Sequence, residues 1–232
     1  MKTQQISLSD ENWRIGIDNI SIVPNLFLLF VSPEFNDKEK VVESLSNRHP
    51  EATIIGCSTA GEISDVTVKD NSISLTVIQL DKVTLKKVFV EVEDMNASYM
   101  SGVNIANQLY SEELKHVIVL SDGLNVNGAD LVSGLKSKLQ KVSITGGLAA
   151  DGANFSNTFV INGNKISDKI IIGLGFYGEG LKVGFSSKGG WDSFGIERHV
   201  TKSRKNVLYE LDGLPALELY KSFLGDEAKN LP

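Results

Sequence analysis

Cysteine is nearly absent from this 232-residue chain: Cys57 stands alone. One thiol excludes an internal disulfide and any cysteine-cluster metal site. No block of lysine and arginine stands out, and the formal net charge is -6, so nucleic acid is not an expected partner. No apolar run approaches the ~18 to 20 residues of a membrane helix, and the best candidate, Leu26 to Val31, is strand-sized. The opening residues Met1-Lys2-Thr3-Gln4-Gln5 lack an apolar signal region, so a cytoplasmic location is expected. Phosphate-loop chemistry is missing as well. Gly146-Gly147 has no Lys-Ser/Thr after it, and no G-x-G-x-x-G sits at a strand-helix junction. Three scattered histidines, His49, His116 and His199, give no Cys-His pair, so no enzyme is expected.

What is present is ordinary globular composition, 41% hydrophobic and 22% charged, enough for one large core or two small ones. Leu26–Val31, Ala52–Gly56 and His116–Leu120 read as buried strands. Asp37–Arg48, Ala97–Leu114, Asp130–Leu139 and Pro215–Leu224 read as helices. Ser72–Leu80 and Val83–Val92 alternate as an antiparallel pair turning at Asp81-Lys82. Thr158–Ile161, Lys169–Tyr177 and Leu181–Ser186 are also strand-like.

The order of these elements suggests an internal repeat. Leu26–Ser32, a helix and Ile54–Cys57 match His116–Asp122, a helix and Ser143–Gly147. The fold class expected is α+β: two pseudo-repeated β-α-β-β-β halves, about 22–92 and 113–187, forming two mixed sheets flanked by helices. Residues 1–21 are expected as an extension, 22–212 as the ligand-sensing domain, and 213–232 as a terminal helix and linker.

The chemistry is expected where short strands end. Ile54-Ile55-Gly56-Cys57-Ser58-Thr59-Ala60-Gly61-Glu62 is an apolar run stopping in small residues and one carboxylate. Such an ending lets a small ligand approach backbone N–H groups, or serves as a tight packed exit. The candidate ligand-binding set is Gly56, Cys57, Ser58, Thr59, Glu62, Asp122, Gly147, Asp151 and Trp191. Backbone N–H groups around Gly56–Thr59 would take a carboxylate, and Glu62, Asp122 or Asp151 an ammonium. Each acid has a structural alternative as a cap or turn former. Three acids cannot all stay charged in one dry pocket without a cation. Cys57 reads as a small buried hydrophobe or, with a lowered pKa, as a nucleophile. His116 and His199 are haem-ligand candidates or ordinary hydrogen-bonded histidines.

Several motifs carry a family resemblance beyond about residue 20. They are Gly56-Cys57-Ser58-Thr59-Ala60-Gly61-Glu62, Leu120-Ser121-Asp122-Gly123-Leu124, Gly146-Gly147-Leu148-Ala149-Ala150-Asp151, Gly189-Gly190-Trp191, Val200-Thr201-Lys202 and Tyr209-Glu210-Leu211-Asp212-Gly213-Leu214-Pro215-Ala216. In order and spacing they resemble the FIST N domain of predicted sensory proteins. The resemblance implies ligand sensing in a bacterial signal-transduction protein, with amino acids as proposed ligands. Some bacterial members bind haem and sense nitric oxide. Those members signal through partner histidine kinases or cyclic-di-GMP enzymes, so the resemblance implies a signalling partner of that kind, and members usually continue into a FIST C domain. Gly225–Pro232 falls where that domain would begin, so a fragment or a short member is expected, with any site between the two domains incomplete.

Overall fold

The computed structural model describes residues 1–187, 189–190, 192–193 and 195–231. Residues 1–185 form one compact unit and 186–232 a second. Trp191 lies outside the described residues.

In the larger unit, the first sheet is built from β1 (Lys2–Leu8), β2 (Leu26–Val31), β3 (Thr53–Ser58) and β6 (Ile73–Gln79). Helices α1 (Trp13–Asp18) and α2 (Lys38–Arg48) connect them. A short hairpin, β4 (Glu62–Ser64) with β5 (Thr67–Lys69), lies between β3 and β6. The second sheet is built from β7 (Thr84–Glu91), β8 (Leu114–Ser121), β9 (Ser143–Leu148) and β12 (Ile170–Tyr177), with α3 (Ser98–Leu109) and α4 (Gly128–Lys138). The hairpin between β9 and β12, β10 (Val160–Asn162) with β11 (Lys165–Ser167), joins the first sheet along β3. The strand orders are β1-β6-β2-β3-β10-β11 and β7-β12-β8-β9. Both sheets therefore use one connectivity. A parallel pair, β2/β3 or β8/β9, is followed on the β2 or β8 side by an antiparallel return strand and then by the strand that opened the block.

The strands alternate as half-buried strands must. Phe27, Leu29 and Val31 turn to α1 and α2, where Trp13, Ile17, Val41, Val42 and Leu45 close one core. Val117, Val119 and Ile171 turn to α3 and α4, where Ile105, Leu109, Leu131 and Leu135 close another. The remaining faces meet each other. Leu26, Ile55, Cys57 and Val160 of the first sheet pack on Leu120, Ile172, Leu174 and Phe176 of the second. The layers run helix, sheet, sheet, helix. Gly102 of α3 and Gly134 of α4 let the outer helices touch backbone to backbone. A Cβ on Gly102 would stand 2.4 Å from the Leu131 carbonyl oxygen.

The mixed α+β architecture is as expected, but its boundaries differ. Residues 1–21 supply β1 of the first sheet and helix α1 packed on it: β1 pairs with β6 along seven residues and its Leu8 is buried. The segments 72–80 and 83–92 do not pair with each other. The turn at Asp81-Lys82 carries the chain from one sheet to the other, since β6 needs β1 and β2 as neighbours and β7 needs β12. Leu181–Ser186 forms no strand, and apolar alternation there ends with Leu181 packed on the core between the sheets.

The smaller unit holds β13 (Val200–Arg204), β14 (Val207–Leu211) and β15 (Leu214–Pro215) in one antiparallel sheet. Helix α5 (Ala216–Leu224) follows, and Ala216 is its one buried residue. An open apolar groove of about 520 Å³ is lined by Leu208, Leu211, Leu217, Tyr220 and Phe223, among others.

Candidate functional site

The carboxyl ends of β3, β8 and β9 are tied into one junction. Ser58 is its hub and is fully buried. Its N–H donates to the Phe159 carbonyl at 2.9 Å, and its Oγ accepts from the Phe159 N–H at 3.1 Å. Its carbonyl accepts from the Ala150 N–H at 3.0 Å. The segment leaving β9 is held to β8 by the Ala149 N–H on the Ser121 carbonyl at 2.7 Å. The Gly123 N–H donates to Thr158 Oγ1 at 3.1 Å, closing the ring of contacts. Ser58, Asp122 and Asp151 therefore belong to one region, with Asp122 and Asp151 entering through their neighbours Gly123 and Ala150.

The three acids answer their own charge locally. Glu62 is 1% exposed; its Oε1 accepts from Thr59 Oγ1 at 2.8 Å. Its Oε2 accepts from the N–H and the hydroxyl of Ser72 at 3.3 and 3.1 Å. Asp122 takes the N–H groups of Leu124 and Asn125 at 2.8 and 2.6 Å, and that of Lys169 at 3.0 Å. Each acid pins a turn, so none needs a cation in common. Asp151 sits nearest the surface of the three, at 7% exposure. The N–H groups of Asn157 and Ser156, with that of Phe155, hold its carboxyl below the ordinary range. Ser72, Thr158 and the 155–157 loop were not legible as parts of this region. The Gly152 turn after Asp151 was the available signal for an acid receiving loop amides.

The small residues divide by face. Gly56 is buried, and a Cβ there would meet the Leu29 carbonyl oxygen at 2.3 Å and Ile161 Cδ1 at 3.1 Å. Gly146 stands in the same place beside β8: its φ is +143°, and a Cβ would lie 1.7 Å from the Val119 carbonyl oxygen. Gly147 is exposed, and a Cβ there would meet nothing within 4 Å. Cys57 is 3% exposed in the layer between the sheets, and burial pushes its thiol up to about 12.

The N–H groups of Ser58 and Thr59 are already spent, the second on the Val31 carbonyl at 3.0 Å. The next two amides, of Ala60 and Gly61, have no intramolecular acceptor among the described residues. Available donors thus lie one to two residues beyond the Gly56–Thr59 stretch that the sequence suggested. His116 is 3% exposed between two hydroxyls, with Nδ1 2.7 Å from Ser143 Oγ and Nε2 2.9 Å from Thr145 Oγ1. Burial lowers its pKa, partly opposed by the Ser143 bond. Both nitrogens are taken, so it does not fit as a haem-iron ligand without breaking a bond between β8 and β9. His199 is exposed and lies in the smaller unit.

Among the described residues no helix is long and apolar enough to cross a membrane. The chain is 26% identical to an uncharacterized protein of Methanocaldococcus jannaschii, over 88% of this chain and 42% of that protein. It thus spans less than half the length of that relative. The family model of the FIST N domain matches residues 25–214, which include the three strand ends, both hairpins and the junction at Ser58. The chain belongs to the FIST N domain family, a family of sensory and signal-transduction domains.

Proposed function

We propose that this chain is a non-enzymatic sensor module that binds a small zwitterion, such as an amino acid, at the rim of the strand-end junction. One observation carries the reading. Amides at Ala60-Gly61 with no acceptor among the described residues, and a charged carboxylate at Asp151, flank the Ser58–Ala150 hydrogen bond. Asp151 Oδ1 accepts one loop amide and has a second lone pair for an ammonium. Chain geometry keeps the two ends within ~10 to 15 Å, which suits a small-ligand site. A ligand there would touch both sheets, because Ser58 belongs to the first and Ala150 follows a strand of the second. Its binding would pass to a signalling partner such as a histidine kinase or a cyclic-di-GMP enzyme. A FIST C domain in the same full-length protein would complete the cleft.

Calorimetry against an amino-acid panel tests the reading, together with mass spectrometry of small molecules released on denaturation. Asp151→Asn should weaken binding roughly tenfold or more, as for a lost charged hydrogen bond. If no amino acid binds and none is released, the reading fails. A red protein with an intense band near the blue end would replace it with haem sensing. The non-enzymatic part rests on Cys57. A thiol titrating near 12 stays protonated at neutral pH and is a poor nucleophile. Iodoacetamide should leave it unmodified until denaturant is added, and rapid alkylation of the folded protein would reopen the enzyme reading.

A further inference from the structure

The two short hairpins of the larger unit have one design and two fates. Each has three paired positions per strand and a two-residue turn, Asp65-Val66 in one and Gly163-Asn164 in the other. Each carries an apolar cross-strand pair, Ile63↔Val68 and Ile161↔Ile166. The β10–β11 hairpin is docked. It runs antiparallel along β3 with Ile161 opposite Gly56, and its Ile161 is fully buried. The β4–β5 hairpin is bare, with Ile63 65%, Val66 90% and Val68 69% exposed. The strand that holds the place of β3 in the second sheet is β9, and it is bare too. It ends the sheet order, and Gly146, Gly147 and Leu148 are exposed.

β9 also lacks the usual protection of an edge. The edge strand β7 carries Lys86, Lys87 and Glu91, β1 carries Lys2, and β11 is short and carries Lys165. β9 reads Ser-Ile-Thr-Gly-Gly-Leu, six residues without a charge or a proline. An unprotected edge of this kind accepts strands.

We infer that β9 is a docking edge for the β4–β5 hairpin of a second copy of this chain, in a reciprocal two-fold exchange. The docked hairpin inside the chain supplies the template, and Val68 takes the place opposite Gly146 that Ile161 takes opposite Gly56. β5 is the strand that lies along β9. The outer edge of β4 is occupied, since the Ile63 carbonyl accepts from Ser74 Oγ at 2.7 Å and from Gln5 Nε2 at 3.3 Å. The outer edge of β5 makes no strand pairing among the described residues. Because both partners donate a hairpin and accept one, the interface closes without leading to a filament.

Sedimentation velocity of the full chain at about 100 µM, where even a micromolar complex is mostly associated, should show a dimer. The double variant Ile63→Lys with Val68→Lys should sediment as a monomer with unchanged circular dichroism, because both side chains are solvent-exposed in one copy. Thr67→Cys and Gly147→Cys, prepared as separate proteins and then mixed, should give an oxidised cross-linked heterodimer. Neither protein alone should give that species. A monomeric wild-type chain overturns the inference. So does a dimer that survives the two lysines, or a disulfide between positions 67 and 147 that forms within one chain when Thr67→Cys and Gly147→Cys are combined in the same protein.

Discussion

β3 and β9 occupy the same position in their sheets, yet one is interior and the other an edge. Each runs parallel to its neighbour, each has a glycine against that neighbour's backbone, and each ends in small residues. The difference is one long-range event: β10 crosses from the second block to cover β3, and no strand of the described chain covers β9. Local sequence prescribes the strand and its close approach. Burial is decided by what arrives from far along the chain.

The largest expected break of this comparison is Gly146→Ala. It meets a positive φ and a carbonyl oxygen 1.7 Å from the new Cβ, so a loss of about 3 kcal/mol or more is expected in urea unfolding. Gly147→Ala, one residue on in open space, should change stability by less than about 0.5 kcal/mol. A similar cost for both would mean that β9 is not an edge.

Asp122→Asn comes next. It replaces a carboxylate holding the amides of Leu124 and Asn125 after β8 and of Lys169 before β12, and should cost about 2 to 3 kcal/mol by the same measurement. Glu62→Gln acts on the bare hairpin, which is tied down through Thr59 and Ser72. A loss of about 1.5 to 2 kcal/mol is expected, with hydrogen exchange rising mainly around 62–72. Exchange rising equally across β3 would show that the carboxylate supports the whole sheet.

The smallest effect is on acid stability. The folded pKa of Asp151 lies below its unfolded value near 3.8. Its contribution is therefore complete above the unfolded value and fades as pH falls through the folded one. Asp151→Asn should flatten the pH dependence of the melting temperature below about pH 4, while leaving its shape near neutrality intact. An unchanged acid limb would separate the loop amides from the charge.

Several parts of this were legible from residues alone. The runs Leu26–Val31 and His116–Leu120 announced central strands because both faces are covered, and Val41, Val42 and Leu45 announced a helix face. The acids at 62, 122 and 151 stood out because they follow such runs. Their partners did not, since Ser72 meets Glu62, and Lys169 meets Asp122, only through folding. The role of 1–21 was hidden for the same reason. Lys2–Leu8 is polar enough to pass for a tail until Leu8 is seen filling the first core. Asp81-Lys82 looked like a hairpin turn because a change of sheet and a change of direction leave the same local signature.

The pairing of β10 with β3 also sets a timetable for synthesis. Ser58 and Phe159 are 101 residues apart, so the outer edge of β3 cannot be sealed until the chain through β10 has left the ribosome. The first sheet is otherwise complete once β6 has emerged, about 80 residues before β10, so at ~5 to 20 residues per second it shows an uncovered apolar strand for roughly 4 to 16 s. A nascent chain stalled just after β6 should engage chaperones strongly, and one stalled beyond β11 should release them.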